Sequence, residues 1–288
     1  MKKLALLTLS MMAATSAFAS NENPLTFKIY NAPSDSFNVN STLIYGEKEA
    51  VVIDAGFTKS DALKIAANVL DSGKTLTTIF ISQADPDYYF GAETLKQLFP
   101  EVNVFATPKV RETIEKKMAR KMTFWAPKMG DNAPTSPILP QAYSKSSFFI
   151  EGHKVEIKGT TGVLGHRPYL WIPSEKAIVG NVGIYNDMPV WMADSQTQEQ
   201  LDAWSVQLSE MKELNPVLVI PGHMKANSKT DLSAINYTEE YLDAFKQAKS
   251  SSKNSKQLID KMMVHYPSPT VSTTLSLGAK VHMGEVSW

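Results

Sequence analysis

The sequence of 288 residues contains no cysteine. Neither disulfides nor thiolate metal ligands are therefore available, and any metal must be held by imidazole, carboxylate or amide oxygen. An excess of charge of one sign is also missing: Lys plus Arg and Asp plus Glu number 29 each, which gives no support for nucleic-acid binding. Beyond residue 19 there is no long apolar run, so no stable membrane anchor is expected, and no cysteine stands where a lipid would be attached. What the N-terminus does have is Lys2 and Lys3, an apolar stretch over residues 4–12, and the small-residue pattern Ala17-Phe18-Ala19. This reads as a secretory signal cleaved after Ala19, leaving about 270 residues as a single soluble domain, periplasmic or secreted.

Along the mature chain, residues 43–45 and 50–54 form two apolar runs around the polar turn Gly46-Glu47-Lys48-Glu49, a hairpin signal. Residues 60–70 then carry apolar side chains at helical spacing before the Asp-Ser-Gly stop at 71–73. A strand is expected at 76–81, a helix at 92–98 before Pro100, and another strand at 102–106. Strands alternating with helices imply an α/β arrangement in which loops at strand ends carry the chemistry.

The hairpin then recurs. Residues 170–181, Leu-Trp-Ile-Pro-Ser-Glu-Lys-Ala-Ile-Val-Gly-Asn, align without a gap on residues 43–54, Leu-Ile-Tyr-Gly-Glu-Lys-Glu-Ala-Val-Val-Ile-Asp, which places Asn181 opposite Asp54. A helix at 197–214 and a strand at 217–220 follow, setting His223 near the place of Gln83. Two related halves are expected, packed face to face, with a site where their loops converge. Between them, residues 108–127 read as a helix with a stripe of Ile114, Met118, Met122 and Trp125. Its Lys116, Lys117, Arg120 and Lys121 could form a basic lid over an anionic substrate, but the favoured reading is a solvated outer face. Further helices are expected toward the C-terminus, around a polar linker at 250–255.

At this point the chain resembles the metallo-β-lactamase fold family across nearly its whole mature length. The resemblance is carried by Val-Val-Ile-Asp-Ala-Gly at 51–56, by the loop Ser82-Gln83-Ala84-Asp85-Pro86-Asp87-Tyr88 with Phe90-Gly91 after it, by the second hairpin, and by Ile220-Pro221-Gly222-His223. It implies a four-layer αβ/βα sandwich. In the family, the loop supplies His, His, Asp and His to two metals, a further His precedes the second hairpin, an Asp at the hairpin's end bridges the metals, and a last His follows Pro-Gly. Here those positions are Gln83, Asp85, Asp87, Tyr88, His166, Asn181 and His223.

A bridging carboxylate neutralises part of the repulsion between two cations, and a neutral Asn181 does so poorly, so at most one metal is expected. Asp85, Asp87, His166 and His223 would offer two oxygens and two nitrogens to zinc, manganese or iron, with Gln83 and Asn181 as secondary candidates. The metal would lower the pKa of its water for attack on a small ester-, lactone- or amide-like substrate. Asp87 would bind the metal or orient that water, and Tyr88 would donate to the developing oxyanion. The alternative is a metal-free pseudoenzyme that binds a ligand or a partner protein. Acid–base hydrolysis by Asp87 and His223 without metal is a third possibility. Asp54 is read as structural, tying down loop amides beneath the site. His153, His265 and His282 are read as surface or hydrogen-bonded residues, and most of Tyr88, Tyr89, Trp125, Trp171 and Trp191 as core. No feature of the sequence sets an oligomeric state.

Overall fold

The computed structural model describes residues 23–268, 270 and 272–288, and the expected signal segment at 1–19 lies outside them. Six strands make the first sheet in chain order: β1 (Thr26–Asn31), β2 (Asn40–Tyr45), β3 (Glu49–Ile53), β4 (Thr75–Ile81), β5 (Asn103–Ala106) and β6 (Gln141–Ala142). The second sheet contains β7 (Ser147–Ile150), β8 (His153–Lys158), β9 (Tyr169–Ile172) and β10 (Ala177–Val179). After β11 (Tyr185–Asn186), the chain supplies β12 (Leu218–Val219) to the far side of β10, while β11 pairs with β13 (His223–Met224) as a separate ribbon.

Helices α1 (Lys59–Ser72), α2 (Pro86–Tyr89), α3 (Ala92–Leu98) and α4 (Pro108–Met129) belong to the first half. The second half has α5 (Gln198–Glu213), α6 (Leu232–Ser250), α7 (Ser255–His265) and α8 (Thr273–His282). Their ends follow local chemistry. Thr58 and Asp61 close a capping box on α1, and Thr197 and Gln200 close one on α5. Gly73, with φ at 65°, takes the left-handed conformation that ends α1 where the Asp-Ser-Gly stop was read.

Register supports the repeat. Ala50 lies opposite Tyr45 across the first hairpin and Ala177 opposite Ile172 across the second, the pairing that the gapless alignment requires. Each hairpin then takes a parallel strand on its second member, β4 on β3 and β12 on β10. Three apolar cores separate four layers. Val52, Ile65, Ile79 and Leu95 pack the first sheet against its helices. Ile44, Val51, Phe80, Ile157 and Leu170 fill the space between the sheets. Ile178, Trp204, Leu208 and Phe245 pack the second sheet against α5 and α6. Each such side chain stabilises the fold by roughly 1.5–3 kcal/mol when fully buried. Among the described residues no helix is long and apolar enough to cross a membrane.

The stripe on α4 is core: Ile114 is buried and Met118, Met122 and Trp125 pack against the same cluster. The reading of its basic residues as a solvated face holds only in part. Lys116 and Arg120 are exposed, whereas Lys117 and Lys121 are half-buried, because residues four apart share one face of a helix and this face turns inward over the 82–88 loop.

Candidate functional site

The site lies where the loops of both halves meet. Asp54 leaves β3 with φ at 64° and is 2 % exposed. Its Oδ1 accepts the Ser82 backbone N–H at 2.7 Å and its Oδ2 the Ser82 hydroxyl at 2.8 Å. The carboxyl thus fixes the start of the 82–88 loop from below, as expected of a structural residue. Burial pushes its pKa up to about 8, against the pull of the two Ser82 bonds.

From the other half, the 221–224 segment is clamped by asparagines of the first. Asn40 Nδ2 donates to the Pro221 carbonyl at 2.8 Å, Asn31 Nδ2 to that of Met224 at 3.0 Å, and the Asn40 N–H to that of Gly222 at 2.9 Å. Position 222 needs glycine for space, since a Cβ there would stand 2.0 Å from the Asn181 carbonyl oxygen and 2.5 Å from the Tyr88 hydroxyl.

This clamp brings His223 to Asp87, with Nε2 and Oδ2 3.5 Å apart. The Phe37 carbonyl lies 2.9 Å from His223 Nδ1. A carbonyl only accepts, so Nδ1 carries the proton and Nε2 faces Asp87 with its lone pair. Tyr185 stacks on the imidazole at 5.0 Å and Tyr88 meets it edge-on at 5.5 Å. Burial lowers the His223 pKa to about 4. Burial, and then the neighbouring Asp85 carboxylate, raise that of Asp87 well above the usual range. Both shifts disfavour charge on the pair.

The remaining expected residues are held elsewhere. Asn181 spends both ends of its amide on backbone: Nδ2 donates to the Ile220 carbonyl at 3.0 Å, and Oδ1 accepts the Ile184 N–H at 2.9 Å. Tyr88 is wholly buried and donates its hydroxyl to the Asn181 carbonyl at 3.2 Å, so it does not reach a substrate as an oxyanion donor would. Gln83 donates to the Pro168 carbonyl at 3.1 Å. Asp85 and His166 instead face a cleft of about 250 Å³, lined also by Gln83, Lys117, Arg167, Trp191 and Asp194. Asp87 and His223 are not in its wall.

A sequence profile of the metallo-beta-lactamase superfamily matches residues 35–223. The chain belongs to the metallo-β-lactamase superfamily. Solved structures agree on the fold. A metallo-beta-lactamase family protein from Thermus thermophilus superposes with a TM-score of 0.62 at 14 % identity, over 90 % of this chain and 91 % of its own. A beta-lactamase domain protein from Burkholderia ambifaria gives 0.62 at 13 %, over 90 % and 84 %. The DIM-1 metallo-beta-lactamase gives 0.51 at 15 %, over 76 % and 91 %. No curated protein matches the chain.

Superfamily membership implies a metal centre, and the donor chemistry tests whether this chain fits one. A tetrahedral site needs at least three converging protein donors. Among the described residues no group of three or more His, Asp or Glu is arranged to hold an ion. The expected set divides into Asp87 with His223 on one side and Asp85 with His166 on the cleft wall, while Asn181 and Gln83 are committed to backbone. The residues present do not fit the superfamily's metal site.

Sequence reasoning missed Arg167 and Asp194, which take part in the cleft. Arg167 stands beside His166, and a charged residue just ahead of an apolar strand was the available signal. For Asp194 no comparable signal exists. Of the other histidines, His153 bonds Ser174 and Asn23, and His282 bonds the Met192 carbonyl. Of the aromatic set, Tyr88, Tyr89 and Trp171 are core, while Trp191 lines the cleft.

Proposed function

We propose that this member of a hydrolase superfamily works as a small-molecule-binding protein, with the family's metal centre replaced by a hydrogen-bonded plug. One observation carries the reading: Tyr88, whose position in the family is a metal-binding His, is buried and bonded to the backbone of Asn181, whose position is the bridging Asp. The hydroxyl ties the two former ligand positions to each other instead of leaving both open to an ion. The cleft beside it is concave, with both polar and apolar walls and a volume of about 250 Å³, room for a compact small molecule. The signal pattern at residues 1–19 supports action in the periplasm or outside the cell.

A second reading, a hydrolase using one metal on an ester-, lactone- or amide-like substrate, is favoured by the facing Asp87 carboxyl and His223 Nε2. Ligand screening by thermal shift, with and without EDTA, separates the two. The binding reading predicts hits that EDTA leaves unchanged and that Trp191→Ala weakens. Hydrolysis lost on EDTA treatment and in both Asp87→Ala and His223→Ala would overturn it.

A further inference from the structure

Two cations, Arg167 and Lys117, and two carboxylates, Asp85 and Asp194, line the cleft, and among the described residues neither cation has a carboxylate at ion-pair distance. Arg167 is 7 % exposed, yet among the described residues its guanidinium donates only to neutral oxygens, the Ser195 hydroxyl at 2.7 Å and the Val182 carbonyl at 3.3 Å. Its flat face lies 4.2 Å over the Trp204 ring. Among the described residues no carboxylate forms an ion pair with it. Asp194 and Asp85 act on this desolvated cation only from beyond ion-pair distance, so an anion bound in direct contact would stabilise it further.

Helix α4 supplies part of the wall. Thr113, Lys117 and Lys121 follow at intervals of four residues on one face, and Thr113 and Lys117 line the cleft. Lys121 Nζ is 3.6 Å from Asp85 Oδ1, so these two charges answer each other. Asp194 accepts the indole N–H of Trp191 at 2.8 Å on one oxygen and that of Trp288 at 2.7 Å on the other. Lys117 and Arg167 thus line one cleft as two cations that, among the described residues, have no carboxylate at ion-pair distance.

We propose that the cleft binds an anionic small molecule, a carboxylate or a phosphate monoester, whose acid group lies between Arg167 and Lys117 and whose apolar part rests on Trp191. The planar guanidinium suits two-point bonding to either acid group, and Lys117 adds a point charge. The proposal rests on the reading of this cleft as a ligand site and narrows it to a ligand class.

The test uses phenyl phosphate, benzoate and the neutral benzyl alcohol as probes, followed by tryptophan fluorescence and titration calorimetry on the purified protein. At least one anion is expected to bind saturably, with benzyl alcohol far weaker, and the preferred anion tells phosphate from carboxylate. Lys117→Gln should weaken binding about tenfold, the change on losing one charge-assisted hydrogen bond. Added salt should weaken it further. The exposed neighbour changed in Lys116→Gln should leave it as in wild type. Arg167→Lys should retain part of the affinity that Arg167→Gln loses, and if these buried variants fail to fold, the Lys117 arm decides alone. Absence of saturation by either anion, or a Lys117→Gln protein that binds like wild type, overturns the proposal. Benzyl alcohol bound as tightly as the anions overturns it too, while leaving the cleft as a ligand site. Failure of the underlying reading would show differently, as EDTA-sensitive hydrolysis that needs Asp87 and His223.

Discussion

Replacing Asp54 with Asn removes one titrating proton while keeping the shape beneath the 82–88 loop. Asparagine also tolerates the left-handed backbone that Asp54 adopts at φ 64°, and its amide can still meet the Ser82 N–H and hydroxyl. The wild-type carboxyl has its pKa raised by burial from 3.8 to about 8. In the unfolded chain it ionises near its ordinary value, so between these limits the folded state holds the extra proton. Its contribution to stability is therefore complete below about pH 4 and is lost as pH rises toward 8. At about 1.4 kcal/mol for each pH unit, roughly 4 kcal/mol is lost between about pH 5 and about pH 8. This is an upper limit, because relaxation and water entry soften the burial penalty. Urea unfolding of wild type and Asp54→Asn at several pH values across that range should show the variant gaining on wild type by about 2–4 kcal/mol as pH rises. Two stability curves that stay parallel would refute the reasoning.

Other outcomes follow from the same geometry. His223 has the opposite sign: its folded pKa of about 4 lies below the ordinary 6.5, so its stability is present above about pH 6.5 and is lost as pH falls toward 4, by up to roughly 3 kcal/mol. His223→Gln should flatten that acid limb in urea titrations, and an unchanged limb would contradict the buried neutral imidazole. Gly222→Ala puts a methyl 2.0 Å from the Asn181 oxygen and should cost about 3 kcal/mol or more in thermal or urea unfolding; a wild-type melt would mean that this segment and Asn181 are not so closely packed. Asn181→Asp, which restores the family's residue, sets a carboxylate oxygen against the Ile220 carbonyl that Nδ2 now serves and should destabilise by about 2–4 kcal/mol with or without zinc. Stabilisation by zinc in that variant would argue for an intact metal centre.

The fold was largely legible because its signals are local. Hairpin alternation, the 43–54 and 170–181 repeat, the helix at Ala92–Leu98 and the cap at Thr197 all depend on short-range chemistry, and register and capping bear them out. Asp54 was legible too, since a buried Asp after a strand binds nearby amides. The site was less so. Placing His166 with Asp85 depends on the path of the 159–168 loop between β8 and β9, and placing His223 with Asp87 on the asparagine clamp across the two halves, neither of which any periodicity encodes. The same holds for Lys117 and Lys121: helical spacing puts them on one face, but only packing decides that this face turns toward Asp85. Arg167 and Asp194 come together from distant segments, and each looks unremarkable within its own.

The central claim is that hydrogen bonds from Tyr88, Gln83 and Asn181 have taken the place of metal coordination. Elemental analysis of the protein purified without chelator, after incubation with zinc, manganese and iron in turn and removal of the excess, tests it most directly. The account predicts far less than one ion per chain, unchanged in Asp87→Ala and His223→Ala. One tightly held ion per chain that both substitutions abolish would contradict it.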